Sequence, residues 1–253
     1  NTVLTDFFYD FSYFFADSIS LAVTKAAVAS PQEYPDLHRL VENLSITSGL
    51  PKPKIYVITD VAPNAFATGR DPLHASIAVT TGLLEILEKR ELEGVLAHEL
   101  AHIGNRDILV MTVAVTLVGS IVLVADIMTR SWFWRSRDDS DSKAGGWVML
   151  IALALAILAP LFAQLIQLAI SRKREYLADA TGSLLTRFPE GLASALLKIE
   201  QYEQPMKSAN RATAHLFINE PFGVKEEKSS WVAKVFSTHP PIPDRIEKLN
   251  EMI

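Results

Sequence analysis

The chain has 253 residues, with 24 lysines and arginines against 29 aspartates and glutamates for a formal charge of −5. Hydrophobic residues make up 49% and charged ones 21%, with a mean hydropathy of +0.19, so part of the apolar content is expected to face lipid. The acidic balance argues against nucleic-acid binding. The absence of cysteine excludes disulfides, thiolate metal sites, iron–sulfur clusters and a cysteine nucleophile, leaving six histidines and the carboxylates to hold any metal.

The chain opens on an aromatic stretch, Phe7, Phe8, Tyr9, Phe11, Tyr13, Phe14 and Phe15, without the basic start and small-residue cleavage site of a signal peptide. It reads as a membrane-proximal segment or an amphipathic surface helix. Leu37, Leu40, Val41 and Leu44 follow the spacing of an amphipathic helix that Gly49 and Pro51 end. Ile55–Ile58 and Ala75–Thr80 read as short strands, with Asn64–Arg70 as a strand and turn between them. Gly82–Leu87 and Glu91–Asn105 are helical by pattern. Ile108–Met128 and Trp147–Ile170 are then apolar almost throughout, each long enough at 1.5 Å per residue to span a hydrocarbon core of roughly 30 Å. Their connection carries Trp132, Phe133 and Trp134 before a short charged turn, so the pair reads as an antiparallel transmembrane hairpin. Glu175–Leu185, Glu190–Glu203 and Asp244–Glu251 look helical. Gln204–Lys228 has no clear period and reads as a loop.

The chemistry concentrates in His98-Glu99-Leu100-Ala101-His102. On a helix, positions i and i+4 share a face, so both imidazoles can aim at one ion, and Glu99 can reach a water there as general base. Neutral imidazoles and a carboxylate suit zinc. The hairpin nominates the third ligand. His102 precedes the first span by about 9 Å of helix and Glu175 follows the second by about 7.5 Å, which sets both at similar height above one membrane face. Glu175 is otherwise a counter-charge to Arg172, Lys173 and Arg174. Asp179, one turn on, can hydrogen-bond a ligand imidazole and fix its tautomer.

Together HELAH, SRKREYLADATG (Ser171–Gly182), NAFATGR and STHPPIPDRI (Ser237–Ile246) resemble the HtpX-type membrane metalloproteases, which share a superfamily with the CAAX-prenyl proteases. The resemblance implies an α+β, zincin-like fold, mainly helical with a small β-sheet, interrupted by the transmembrane hairpin. It divides the chain into a membrane-proximal segment (1–30), a first protease part (31–107), the hairpin (108–170) and a second protease part (171–253). The family usually has further N-terminal transmembrane helices, so the chain is expected to be truncated there. By resemblance, one zinc ion is held by His98, His102 and Glu175, with Glu99 as catalytic base and Asp179 behind a ligand. His239 is then either close to the metal or a loop anchor, and Arg245 either stabilises charge or pairs with an acidic neighbour such as Glu247. Asn64, Ala65, Phe66, Ala67, Ala78 and Val79 resemble strands bordering the family's cleft, where an edge strand can pair with an extended substrate backbone; otherwise they are internal strands.

The expected activity is that of a zinc metalloendopeptidase of membrane-protein quality control, acting on misfolded or unfolded segments beside the bilayer. The alternatives are a proteolytically silent scaffold or chaperone with a structural metal, which Glu99 disfavours, and a CAAX-prenyl-type protease. Lys89, Arg90, Arg106, Arg172, Lys173, Arg174 and Arg187 near the spans outnumber Arg130, Arg135, Arg137 and Lys143 of the connection. The positive-inside rule therefore expects the catalytic side in the cytoplasm, and the resemblance implies a protein of a bacterial inner membrane.

Overall fold

The computed structural model describes residues 20–109, 172–202, 206, 217–218 and 240–253. Strands β1 (Ala27–Val28), β2 (Lys54–Ile58), β3 (Ala65–Gly69) and β4 (Ala75–Thr80) form one sheet in the order β1-β2-β4-β3. β2 and β4 are parallel, and β1 and β3 flank them antiparallel. The helices are α1 (Pro35–Ser48), α2 (Thr81–Ile86), α3 (Lys89–Gly104), α4 (Arg172–Thr186), α5 (Pro189–Glu200) and α6 (Ile242–Asn250).

Local chemistry sets these boundaries. Pro35 opens α1, and Gly49 closes it in the left-handed conformation at φ 70°, its N–H turned back on the carbonyls of Ile46 and Ser45. The Thr80 hydroxyl caps α2 by accepting from the Leu83 N–H. β1 is two residues long and has no expectation in the sequence.

Alternate strand residues feed two cores. Ile55, Val57, Ala65, Ala67, Ile77 and Val79 join the larger one with helix side chains, whereas Ile58, Phe66 and Ala78 join a second with Leu21, Met206 and Phe217. The Phe66 and Phe217 rings meet edge-to-face at 5.2 Å. Both faces of the sheet are thus covered, which explains why IYVI and ASIAVT lack a polar alternation. Within the stretch Gln204–Lys228, Met206, Phe217 and Ile218 are buried, so these three belong to the packed body and not to a surface loop.

One strand expectation needs correction. Ala78 pairs with Tyr56 on one side and Phe66 on the other, so β4 has no free edge, and Ala78 and Val79 are fully enclosed. The reason is topological. After β3 the chain turns through Pro72–His74, where the Asp71 carboxylate accepts from the His74 N–H, and β4 returns between β3 and β2. The edge belongs to β3, and there Ile218 N–H donates to the Ala65 carbonyl at 3.0 Å.

The aromatic start and the hairpin expected over 108–170 lie outside the described residues, except for positions 108 and 109 at its beginning. Among the described residues no helix is long and apolar enough to cross a membrane.

Candidate metal centre

α3 is anchored at its start. Glu91 reaches back to accept from the Glu88 N–H at 2.7 Å, and it also takes the Ser194 hydroxyl at 2.6 Å and the Lys198 ammonium at 2.7 Å from α5. From Leu92 to Ile103 nearly every residue is buried, against α4, α5, α1 and β3. A helix enclosed around most of its circumference carries its polar groups into the interior. His98, Glu99 and His102 are accordingly at most 4% exposed.

α4 approaches this helix closely because Gly182 has no side chain. A Cβ there would stand 2.9 Å from the His98 backbone nitrogen. The contact brings Glu175, which has no exposed surface, against the two imidazoles. The His98 and His102 Nε2 atoms are 3.1 Å apart, and they lie 3.8 Å and 3.4 Å from the Glu175 carboxylate oxygens.

The opposite ring nitrogens each face a carboxylate. His98 Nδ1 lies 2.9 Å from Asp179 Oδ1, and His102 Nδ1 donates to Asp107 Oδ2 at 3.0 Å. With each Nδ1 turned toward a carboxylate, the two Nε2 atoms face each other and Glu175. Two such nitrogens and a carboxylate facing one another out of water form a donor set that fits a divalent cation. One ligand atom from each of the three residues lies within 4.8 Å of the others.

Arg245 of α6 closes the site from the far side. It is wholly buried, donates through Nε and Nη2 to the two Asp179 oxygens at 2.9 and 2.6 Å, and places Nη1 3.6 Å from Glu175. Burial alone would raise the Asp179 pKa, but the Arg245 charge and the His98 contact pull it down to about 2. Burial likewise works against a charged His102. The Asp107 hydrogen bond and the carboxylates of Glu175 and Glu99 outweigh it and raise that pKa to about 9 in the metal-free chain.

The comparisons with known proteins bear on this geometry. Residues 31–253 match the family described as Peptidase family M48. The chain belongs to peptidase family M48. Among similar M48 proteins, a "Protease HtpX homolog" of Thermoanaerobacter pseudethanolicus is 50% identical over 242 residues, covering 94% of this chain and 78% of that protein. A protein of the same name from Pyrococcus furiosus is 50% identical over 246 residues, 96% of this chain and 82% of its own length. The crystal structure of S. mikatae Ste24p superposes with a TM-score of 0.58 at 19% identity over 98% of this chain. The chain spans 57% of the Ste24p chain, and the likeness establishes a shared fold of helices with a small sheet. The HtpX-type resemblance of the sequence is thereby confirmed at the level of family.

Within this M48 chain, the residues singled out by sequence are distributed unevenly. His98, His102 and Glu175 come together with Asp179 behind His98, and Glu99 is buried beside them. Arg245 joins Asp179 and Glu175 and not Glu247, because α6 turns it inward. His239 lies outside the described residues. His38 contacts the Ala29 carbonyl and His74 pairs with Asp71, neither in the group. Asp107 was not singled out, and Arg174 figures in the sequence only as a counter-charge to Glu175 and a topology cation. Their only signal was a carboxylate five residues after the second histidine of the motif and a cation next to Glu175.

Proposed function

We propose that this M48 chain is a zinc-dependent endopeptidase of a membrane, cutting misfolded or unfolded protein segments near the lipid surface. The observation that supports it most is the buried group of His98, His102 and Glu175 with Glu99 next to it in sequence. His98, His102 and Glu175 would hold one zinc ion, which when bound supplies Lewis acidity toward a scissile carbonyl and a water. The Glu99 carboxylate takes the proton of that water as it attacks and delivers it to the nitrogen of the leaving amine. Asp179 lies against His98 Nδ1, and Arg245 keeps Asp179 ionised in a buried setting. His239 is assigned, on the family resemblance alone, to stabilising the charge that develops on the reacting carbonyl oxygen.

Substrate contact is assigned to the β3 edge at Ala67, next to the Ala65 carbonyl that Ile218 already occupies, with Asn64, Ala65 and Phe66 holding that strand in place. Ala78 and Val79 contribute from behind, through the backbone that positions β3. The positive-inside count supports a cytoplasmic catalytic side. Homologues at about half identity named as proteases, and the family itself, favour proteolysis over a silent scaffold.

The test uses the full chain and a disordered protein substrate. Glu99→Gln is expected to keep zinc and lose cleavage, because it removes the base and spares the donors. Glu175→Ala is expected to lose most of the zinc. An active Glu99→Gln enzyme would overturn the assignment of the base, and full zinc retention by Glu175→Ala would remove that residue from the ligands.

A further inference from the structure

Asp107 is 2% exposed and uses both carboxylate oxygens. Oδ2 accepts from His102 Nδ1 at 3.0 Å, while Oδ1 accepts from Arg174 Nη1 at 2.5 Å, from a residue 67 positions later in the chain. The backbone is arranged for this. After α3 ends, Arg106 adopts a left-handed φ of 58°, and the next residue, Asp107, is within hydrogen-bond reach of His102. Arg174 sits in the first turn of α4, directly before Glu175, with a side chain 37% exposed.

One carboxylate therefore ties a ring of the proposed zinc group to the helix turn that carries the third donor. It also joins the two points of the sequence between which the apolar stretch 110–171 is inserted. A carboxylate that meets only an imidazole N–H can swing about its own Cβ–Cγ bond. One held from the other side by a guanidinium cannot, and the ring it orients is fixed in turn.

We propose that Asp107 and Arg174 act as a positioning pair: Arg174 orients Asp107, and Asp107 aims the His102 Nε2 lone pair at the metal position. The inference rests on the zinc reading given above and assigns no contact of either residue with substrate. Arg174 acts only through Asp107, which gives the pair a signature that a general loss of stability does not have.

The measurement is zinc affinity of the full chain by competition with a chromophoric chelator, alongside the visible absorption spectrum of the cobalt-substituted protein. Arg174→Gln is expected to weaken zinc binding about tenfold, and Asp107→Asn by about ten- to a hundredfold, the range for losing a partner of a ligand imidazole. The double variant should be no weaker than Asp107→Asn alone, and Arg174→Lys should recover part of the loss. The cobalt spectrum should shift in Arg174→Gln, showing an altered ligand field in a folded protein. Lys52→Gln, which breaks a distant exposed ion pair with Glu42, serves as the unaffected control.

Unchanged zinc affinity and cobalt spectrum in Arg174→Gln would overturn the proposal. So would losses that add in the double variant. Should Asp107→Asn fail to fold, the half-exposed Arg174 arms decide the matter by themselves. A wild-type chain that takes up no zinc would instead overturn the metal reading itself, a result distinguishable from failure of the pair.

Discussion

Arg245 has no contact with water, and its two hydrogen bonds to Asp179 make it the counter-charge on which two buried carboxylates depend. Removing one partner of such a pair leaves an uncompensated charge in the interior, which is destabilising by about 3–5 kcal/mol. The pair also sets a pH dependence. The Asp179 pKa is depressed to about 2, so its contribution is complete above the ordinary carboxylate value of about 3.9 and fades as pH falls toward 2. In metal-free protein, urea midpoints followed from pH 5 downward should show this loss in the wild type. Asp179→Asn should start less stable at neutral pH and lack that share of the slope. His102 works in the opposite sense. With its pKa raised to about 9, the metal-free ring is protonated at pH 7, and a cation must displace that proton. Calorimetry of zinc uptake in buffers of different ionisation enthalpy should report about one proton released per ion near pH 7. Uptake without proton release would contradict the charge state assigned to His102.

The contact of α4 with α3 is where one atom decides an arrangement of whole helices. A Cβ at position 182 would stand 2.9 Å from His98 N and 3.1 Å from the Ala97 carbonyl carbon, and the obstacle is backbone, which cannot rotate away. Gly182→Ala should push the helices apart, lowering stability by about 1–3 kcal/mol as overpacking does. It should also reduce zinc retention, because Glu175 rides on the displaced helix. Equal zinc content in Gly182→Ala and wild type would mean that α4 absorbs the change by sliding.

The helices were legible at this scale because their apolar spacing and stops are local properties: Leu37 to Leu44 and the Gly49 stop speak for themselves. The His98–His102 pair was legible for the same reason, since i, i+4 geometry needs only one helix. Strand order was not legible. Nothing in ASIAVT says that two neighbours flank it, and β1, with two residues, carries no pattern at all. Asp107 escaped because its meeting with His102 depends on a left-handed turn at Arg106, a residue type that gives no warning of positive φ. The partner of Arg245 escaped because a sequence offers nearby Glu247 more readily than Asp179, 66 positions away.

Taken as a whole molecule, the donor group is drawn from two stretches of chain separated by the apolar segment 108–170. The pairing of Asp107 with Arg174 requires any insert between them to bring the chain back to where it left, which the proposed transmembrane hairpin would do. The topology can be read directly, because the chain has no cysteine and single ones can be introduced. In intact cells a cysteine at Ser140 should react with an impermeant thiol reagent, and one at Ser208 should stay shielded until the membrane is opened. The reverse pattern would put the catalytic side outside the cytoplasm.

The dispersion of the site along the chain also has a temporal meaning. His98 and His102 leave the ribosome first, Glu175 follows only after the apolar insert has been made, and Arg245 comes some 70 residues later still. While it is being synthesised, the polypeptide carries the histidines without the carboxylate that completes them or the guanidinium that compensates it. In the growing chain the donor group is therefore complete only once that insert has been made, and Asp179 gains its guanidinium only once α6 has docked.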